Sequence, residues 1–279
     1  MYNTWEYYNY VKHGKFDYLY DKVGLYDTLI GVIRRQQSAT DITRCWQNLG
    51  ELREHMLHFM ENHDEQRLAS DFIVREGRPA LPAMLVSATI DTCPTMVYFG
   101  QELGERGMDQ EGYSGCDGRT TIFDYWSVDT LRRWRDGGTF SGKDLNDGER
   151  DLQAYYSRLL HIARDERAIT EGDFFDLMYV NPFTAEFNPH RHYAFLRKHE
   201  NELMLIVANF DGWDTPVSVN IPSAAFDYFK LPTLHSIEAT ELLTGEKVSL
   251  ALHPDAPVCL TVPGFSGAIV KITLPENND

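Results

Sequence analysis

No stretch of this sequence approaches the roughly eighteen apolar residues a membrane-spanning helix needs. No basic segment followed by an apolar one opens the chain, so no signal peptide is visible, and the site of action stays open. Basic residues are scarce: 26 Lys and Arg stand against 42 Asp and Glu, a net charge of −16. Phosphate backbones and anionic membranes are bound through basic faces, so neither nucleic acid nor a membrane is an expected partner. Only four cysteines occur, Cys45, Cys93, Cys116 and Cys259, none at C-x-x-C spacing. That removes zinc-ribbon and thioredoxin-type centres and leaves four inert or buried thiols as the expectation. No Gly-x-Ser-x-Gly elbow is present. The two glycines of Gly100-Gln101-Glu102-Leu103-Gly104 lack the Lys-Ser/Thr ending of a phosphate loop.

Apolar residues make up 43% of 279, enough for one large domain or two modest ones. Aromatics reach 13%, which serves either a packed core or sugar-stacking surfaces. From residue 16 to 168 strand-like and helical patterns alternate. Strands are predicted at 16–20, 56–60 and 95–99. Helices are predicted at 25–35, from Asp41 to about Arg53, at 67–74, 79–90 and 145–168. Such alternation implies a parallel sheet with helical crossovers. Residues 105–144 carry Gly, Asp and aromatics with little periodicity and read as a long functional loop. Beyond about residues 169–176 the texture changes. Short alternating runs at 193–198, 203–209, 217–221, 248–250, 258–262 and 268–274, separated by turns such as Asp211-Gly212 and Pro263-Gly264, predict an antiparallel β-sandwich. The expected division is 1–171 and 172–279.

The chemistry-bearing stretch is Glu61-Asn62-His63-Asp64, directly after the second strand. A carboxylate at the C-terminal end of a parallel strand occupies the usual place of barrel catalytic groups. A polar strand-to-helix turn with a capping Asp would read the same way. His55, His58, His63 and Asp64 can be drawn as a metal cluster, but His55 and His58 would point to opposite faces of a strand. No metal and no cofactor is expected. His190 and His192 share a face and are expected at a solvated strand start. Tyr98, Tyr113, Phe123, Tyr125 and Trp126 either line a sugar cleft or fill core, and Glu102 either supports the site or the fold.

Phe59-Met60-Glu61-Asn62-His63-Asp64-Glu65-Gln66-Arg67 resembles the strand-seven motif of the α-amylase family of glycoside hydrolases. Met96-Val97-Tyr98-Phe99-Gly100-Gln101-Glu102-Leu103-Gly104 is similar to its strand-eight segment, and Phe16-Asp17-Tyr18-Leu19-Tyr20-Asp21-Lys22-Val23 fits its strand six. The resemblance implies a fold of α/β plus all-β class: a partial (β/α)8 TIM-barrel segment followed by an antiparallel β-sandwich. It implies retaining chemistry on α-glucosidic bonds of starch-like glucans. Asp64 matches the transition-state-stabilising carboxylate, and His63 the histidine that bonds the same sugar's hydroxyls. Asn62, Arg67 and Tyr98 join them as substrate-binding candidates, with Arg67 orienting a carboxylate or a neighbouring sugar.

The departure from the family is that its nucleophile and acid/base belong to strands four and five. The chain opens just before strand six, with no Gly-x-Arg-x-Asp run. The expectations are a fragment of a longer enzyme that is inactive alone, and self-association or pairing with the missing barrel half. The rivals are a non-catalytic carbohydrate-binding or transport-accessory relative, and an unrelated protein whose Asp64 stands remote from any cleft.

Overall fold

A computed structural model describes residues 4–109, 116–123 and 128–275. Helix α1 (Thr4–Lys12) leads into strand β1 (Leu19–Tyr20). One π-helical turn, Lys22–Tyr26, follows, with Tyr26 N donating to Asp21 O at 3.1 Å. Helices α2 (Asp27–Ile33) and α3 (Asp41–Leu49) come next. The α3 helix stops four residues short of the predicted end, because Gly50 takes φ +50 and the chain continues as a 3-10 turn to His55. Strand β2 (Met56–Phe59), helix α4 (Leu81–Thr89) and strand β3 (Thr95–Met96) complete a three-stranded parallel sheet of order β1-β2-β3. Leu19 pairs with Met56, and His58 pairs with Thr95.

Residues 67–74 form successive turns rather than the predicted helix. Their amides find partners other than the i−4 carbonyl: Arg67 N donates to Gly118 O, Leu68 N to the Glu61 carboxylate and Val74 N to Leu68 O. The region predicted as one long loop contains helix α5 (Asp129–Arg135), held where Thr130 donates to Glu105 and Arg133 pairs with Asp129 and Glu149. Tyr113, Tyr125 and Trp126 lie outside the described residues.

Helix α6 (Asp147–Asp165) opens with a capping box: Asn146 accepts from Glu149 N, and the Glu149 side chain accepts from Asn146 N. After the short α7 (Arg167–Thr170) the architecture becomes antiparallel. The strands are β4 (Asp173–Asp176), β5 (His192–His199), β6 (Glu202–Asn209) and β7 (Thr215–Val219). After α8 (Ser223–Phe229) follow β8 (Leu234–Glu241), β9 (Lys247–Leu252), β10 (Val258–Val262) and β11 (Ser266–Thr273). Six strands form one sheet, β4-β5-β6-β11-β8-β9, and β10 pairs with β7 in a second.

One apolar core runs from Leu25 to Leu274 through both segments, so the change of architecture near Gly172 is no gap in packing. Helix α4 makes the join. All nine of its residues are buried, between the parallel strands on one side and β6 and β11 on the other. At Gly267 on β11 a Cβ would stand 2.6 Å from Leu85 Cδ1, so the helix seats where the strand has no side chain. Arg197 on β5 fastens the same junction. Its buried guanidinium donates to the carbonyls of Ile90, Ala168, Ile169 and Gly172 at 2.7–3.1 Å, and burial pulls its pKa down to about 10. Among the described residues no helix is long and apolar enough to cross a membrane.

Candidate active site

Strand β2 delivers the chain into a turn whose geometry is fixed by its own side chains. The Asn62 side-chain oxygen accepts from the amides of Asp64 and Glu65, both at 2.8 Å, a turn that Asn favours because its side chain mimics a backbone carbonyl. Glu61, 1% exposed, closes the base of the turn. One of its oxygens accepts from Leu68 N and the other from Arg67 Nη1, each at 2.7 Å. Burial pushes the Glu61 carboxyl up, and the guanidinium of Arg67 pulls against it.

The neighbouring loop holds the outside of the turn. Gly118 O accepts from Arg67 N, Asp117 O from Gln66 Nε2 at 3.0 Å, and Arg119 Nε donates to Asp64 O at 2.9 Å. Gly118 has φ +82, and a Cβ there would stand 2.8 Å from the Phe72 ring, so only glycine brings this loop so close. On the other flank Glu65 accepts from the Tyr26 hydroxyl at 3.3 Å and pairs with Lys22 at 3.4 Å. Tyr26 stacks on Phe59 with centroids 4.8 Å apart, and burial together with Glu65 and Glu61 drives its hydroxyl pKa up.

The frame leaves two functional groups outside. His63 and Asp64 have side chains 46% and 76% exposed, with His63 Nε2 3.4 Å from an Asp64 carboxylate oxygen. They follow the middle strand of a sheet whose outer strands, β1 and β3, each have an edge unpaired among the described residues. The pair offers one acceptor and one ring that both donates and accepts, suited to gripping vicinal hydroxyls. Two-carboxylate glycoside hydrolysis needs a second carboxyl about 5–9 Å away. The adjacent Glu65 is turned to Tyr26 and Lys22.

Three of the sequence candidates lie inward. Arg67 is fully buried, its guanidinium spent on Glu61, Thr120 Oγ1 at 3.0 Å and Phe99 O at 2.8 Å, and it packs over the Tyr98 ring. It orients a carboxylate, that of Glu61, and is withheld from any sugar. Tyr98, 8% exposed, donates to Thr120 O at 2.8 Å and is core rather than cleft lining. The Asn62 side-chain oxygen is occupied by the turn it builds. Phe123 is 61% exposed. The framing roles of Glu61, Lys22, Tyr26 and Arg119 were not readable. Their only signal was position in the motif for Glu61, and charge in an unpatterned loop for Arg119.

His192 is not at a solvated edge: it is 2% exposed inside the six-stranded sheet, where its Nδ1 accepts from Asn188 N at 3.1 Å and burial lowers its pKa. His55 lies in the turn before β2, its Nδ1 3.0 Å from Asp17 O, well apart in environment from the buried His58. No group of three His, Cys, Asp or Glu able to hold a metal occurs among the described residues. All four cysteines are free, and Cys116 and Cys259 are exposed rather than buried.

A parallel α/β segment passing into an antiparallel β domain has the architecture of a partial α-amylase barrel and the β domain that follows it. Solved α-amylase structures match it directly. A maltogenic α-amylase from Thermotoga neapolitana superposes with a TM-score of 0.63 at 17% identity, over 94% of this chain and 52% of that one. AmyP, solved with maltose, gives 0.67 at 15% identity over 97% and 54%. The α-amylase from Geobacillus thermoleovorans, solved with acarbose, gives 0.55 at 15% identity over 90% and 47%. The chain thus spans about half the length of these structures. No protein-family model matches the sequence, and no curated protein matches it.

Proposed function

We propose that the chain is the part of a retaining, α-amylase-type glycoside hydrolase that carries the transition-state-stabilising carboxylate, acting on α-glucosidic bonds of starch-like glucans. Asp64 is that carboxylate, and His63 binds hydroxyls of the same sugar. The observation that carries the reading is the convergence of an α-amylase fold with an Asn-His-Asp turn whose His63 and Asp64 alone face outward. A fixed carboxylate that bonds ring hydroxyls more tightly in the oxocarbenium-like state lowers the barrier without itself bonding the sugar. Nucleophile and acid/base are supplied from outside this chain, so the pure protein binds glucan without cleaving it.

Titration with maltotriose tests the reading. Binding weakened by Asp64→Asn and by His63→Ala supports it. Hydrolysis of maltodextrin by the pure chain overturns the division of labour.

The unclosed sheet and the one exposed carboxylate of the Asn-His-Asp turn also fit a non-catalytic carbohydrate-binding or transport-accessory relative. The coding sequence upstream of Met1 discriminates. A strand-four Asp and a strand-five Glu there favour the enzyme, and their absence the accessory protein.

A further inference from the structure

His58 is buried on β2, one strand residue before Phe59, and makes no bond to the Asp64 turn itself. Charged and titratable groups face it from several elements. Asp21 does so from the end of β1, and Asp91 with Cys93 from the segment after α4. Arg53 of the 3-10 turn and Arg197 of β5 lie beside Asp91. The carboxylates keep the ring an imidazolium, with a proton on each nitrogen.

The two sides of the ring are unequal. Nε2 stands 3.3 Å from Asp91 Oδ2, within hydrogen-bond reach. Nδ1 stands 3.7 Å from Asp21 Oδ2, just beyond it. Both of these atoms are buried, and neither has a hydrogen-bond partner among the described residues. Buried polar atoms are nearly always paired. An orphan donor facing an orphan acceptor is a contact with two arrangements, and a movement of roughly 1 Å closes it.

Asp21 lies on a path to the candidate site. Its other carboxylate oxygen accepts from Leu25 N at 3.0 Å and its carbonyl from Tyr26 N at 3.1 Å, so it sets the turn Lys22–Tyr26. Gly24 packs on the same carboxylate, and a Cβ there would collide with Asp21 Oδ1. The turn presents Lys22 and Tyr26 to Glu65 at 3.4 and 3.3 Å. Glu65 N and Asp64 N in turn share the Asn62 side-chain oxygen. Coupling between sites runs through contiguous contacts of this kind when one of them has two arrangements.

We infer that His58 is a positioning residue of the Asp64 turn: its contact with Asp21 sets the Lys22–Tyr26 turn and, through Glu65, where Asp64 and His63 stand. Its part in sugar binding rests on the reading of the Asp64 turn given above.

Four forms of the full chain test it at pH 7, well below their melting temperatures: unaltered, His58→Gln, Glu65→Ala and His58→Gln/Glu65→Ala. The readouts are the NMR amide resonances of Asp64 and Glu65 and the affinity for maltotriose. His58→Gln is expected to shift both resonances while those of β6 stay in place, and to weaken maltotriose binding about tenfold. Glu65→Ala cuts the path, so adding His58→Gln to it is expected to change neither the affinity nor the Asp64 resonance further. Gly24→Ala pushes on Asp21 with His58 intact and is expected to shift the same resonances, a result that does not depend on His58→Gln folding. Asp64 and Glu65 resonances unmoved by His58→Gln or by Gly24→Ala overturn the inference, as do losses that add in the double variant. If the unaltered chain binds no maltotriose, the Asp64 reading falls, and the resonances alone decide the role of His58.

Discussion

Arg67 and Glu61 are a buried ion pair whose members do unequal things when removed. Arg67 is fully buried and Glu61 1% exposed, and together they close the turn that presents Asp64. Arg67→Met leaves a carboxylate in the core with no counter-charge, and a loss of about 3–5 kcal/mol is expected. Glu61→Met/Arg67→Met removes both charges and is expected to cost clearly less than the single change. Urea denaturation of the three proteins checks this, and equal losses would contradict it. His58 is the second residue whose charge has a structural role. It is 2% exposed, with Nε2 3.3 Å from Asp91 and Nδ1 3.7 Å from Asp21, and Asp91 also pairs with Arg53. Burial alone would lower the His58 pKa, but Asp91, Cys93 and Asp21 outweigh it and hold the imidazolium to about 10. A folded pKa above the unfolded value of about 6.5 means this contribution is complete below about pH 6.5 and is lost as pH rises towards 10. The expected outcome is a melting temperature that falls from pH 7 to pH 10 in the unaltered chain. His58→Gln lowers it at pH 7 and flattens that slope.

At the level of elements, α4 decides whether barrel segment and β domain hold together. It offers no polar face, because both its sides are covered. Leu85, fully buried opposite Gly267, is the contact point. Leu85→Ala is expected to cost about 2–5 kcal/mol. Gly267→Val is expected to destabilise by overpacking the same contact from the other side. Chemical denaturation of each checks both, and a neutral Gly267→Val would mean the helix has room to shift. The helix was legible in the sequence because nine consecutive residues are apolar or small. So were α6, β2, β5, β6, β10 and β11, whose patterns follow burial on one or both faces. Strand β8 (Leu234–Glu241) was missed because much of it is exposed and no alternation is imposed on its residues. Strand β4 buries only its last residue, and the seven-residue α8 is too short to carry a helical period. The false helix at 67–74 had helical composition, but Glu61, just upstream, and Gly118, distant in sequence, captured its amides. The site divided along the same line. His63 and Asp64 announced themselves by motif, whereas the burial of Arg67 and Tyr98 depends on the loop at Gly118 and Thr120, 53 residues from Arg67 to Thr120 and 22 from Tyr98.

For the whole molecule, the parallel sheet poses the problem that a barrel normally solves by closing. Strand β1 pairs only with β2 and β3 only with β2 among the described residues, so each leaves a row of backbone groups on its outer side. The β1 side is also the aromatic side. Trp5 is 71% exposed, Phe16 55% and Tyr18 52%, with Tyr8, Tyr10 and Tyr20 exposed as well. Open strand edges beside exposed aromatic surface template pairing with another chain. In a pure preparation the chain at hand is a second copy. The net charge of −16 opposes contact between copies, but its repulsion is screened over about 8 Å at physiological salt, whereas the apolar surface is not. Sedimentation velocity is therefore expected to show dimers or larger species whose share rises with protein concentration and with added salt. Trp5→Lys together with Tyr18→Lys, both at exposed positions, should return the protein to monomer without lowering its melting temperature. A chain that sediments as a strict monomer at every salt concentration would mean that the edge is protected by its own residues, and the association would have to be abandoned.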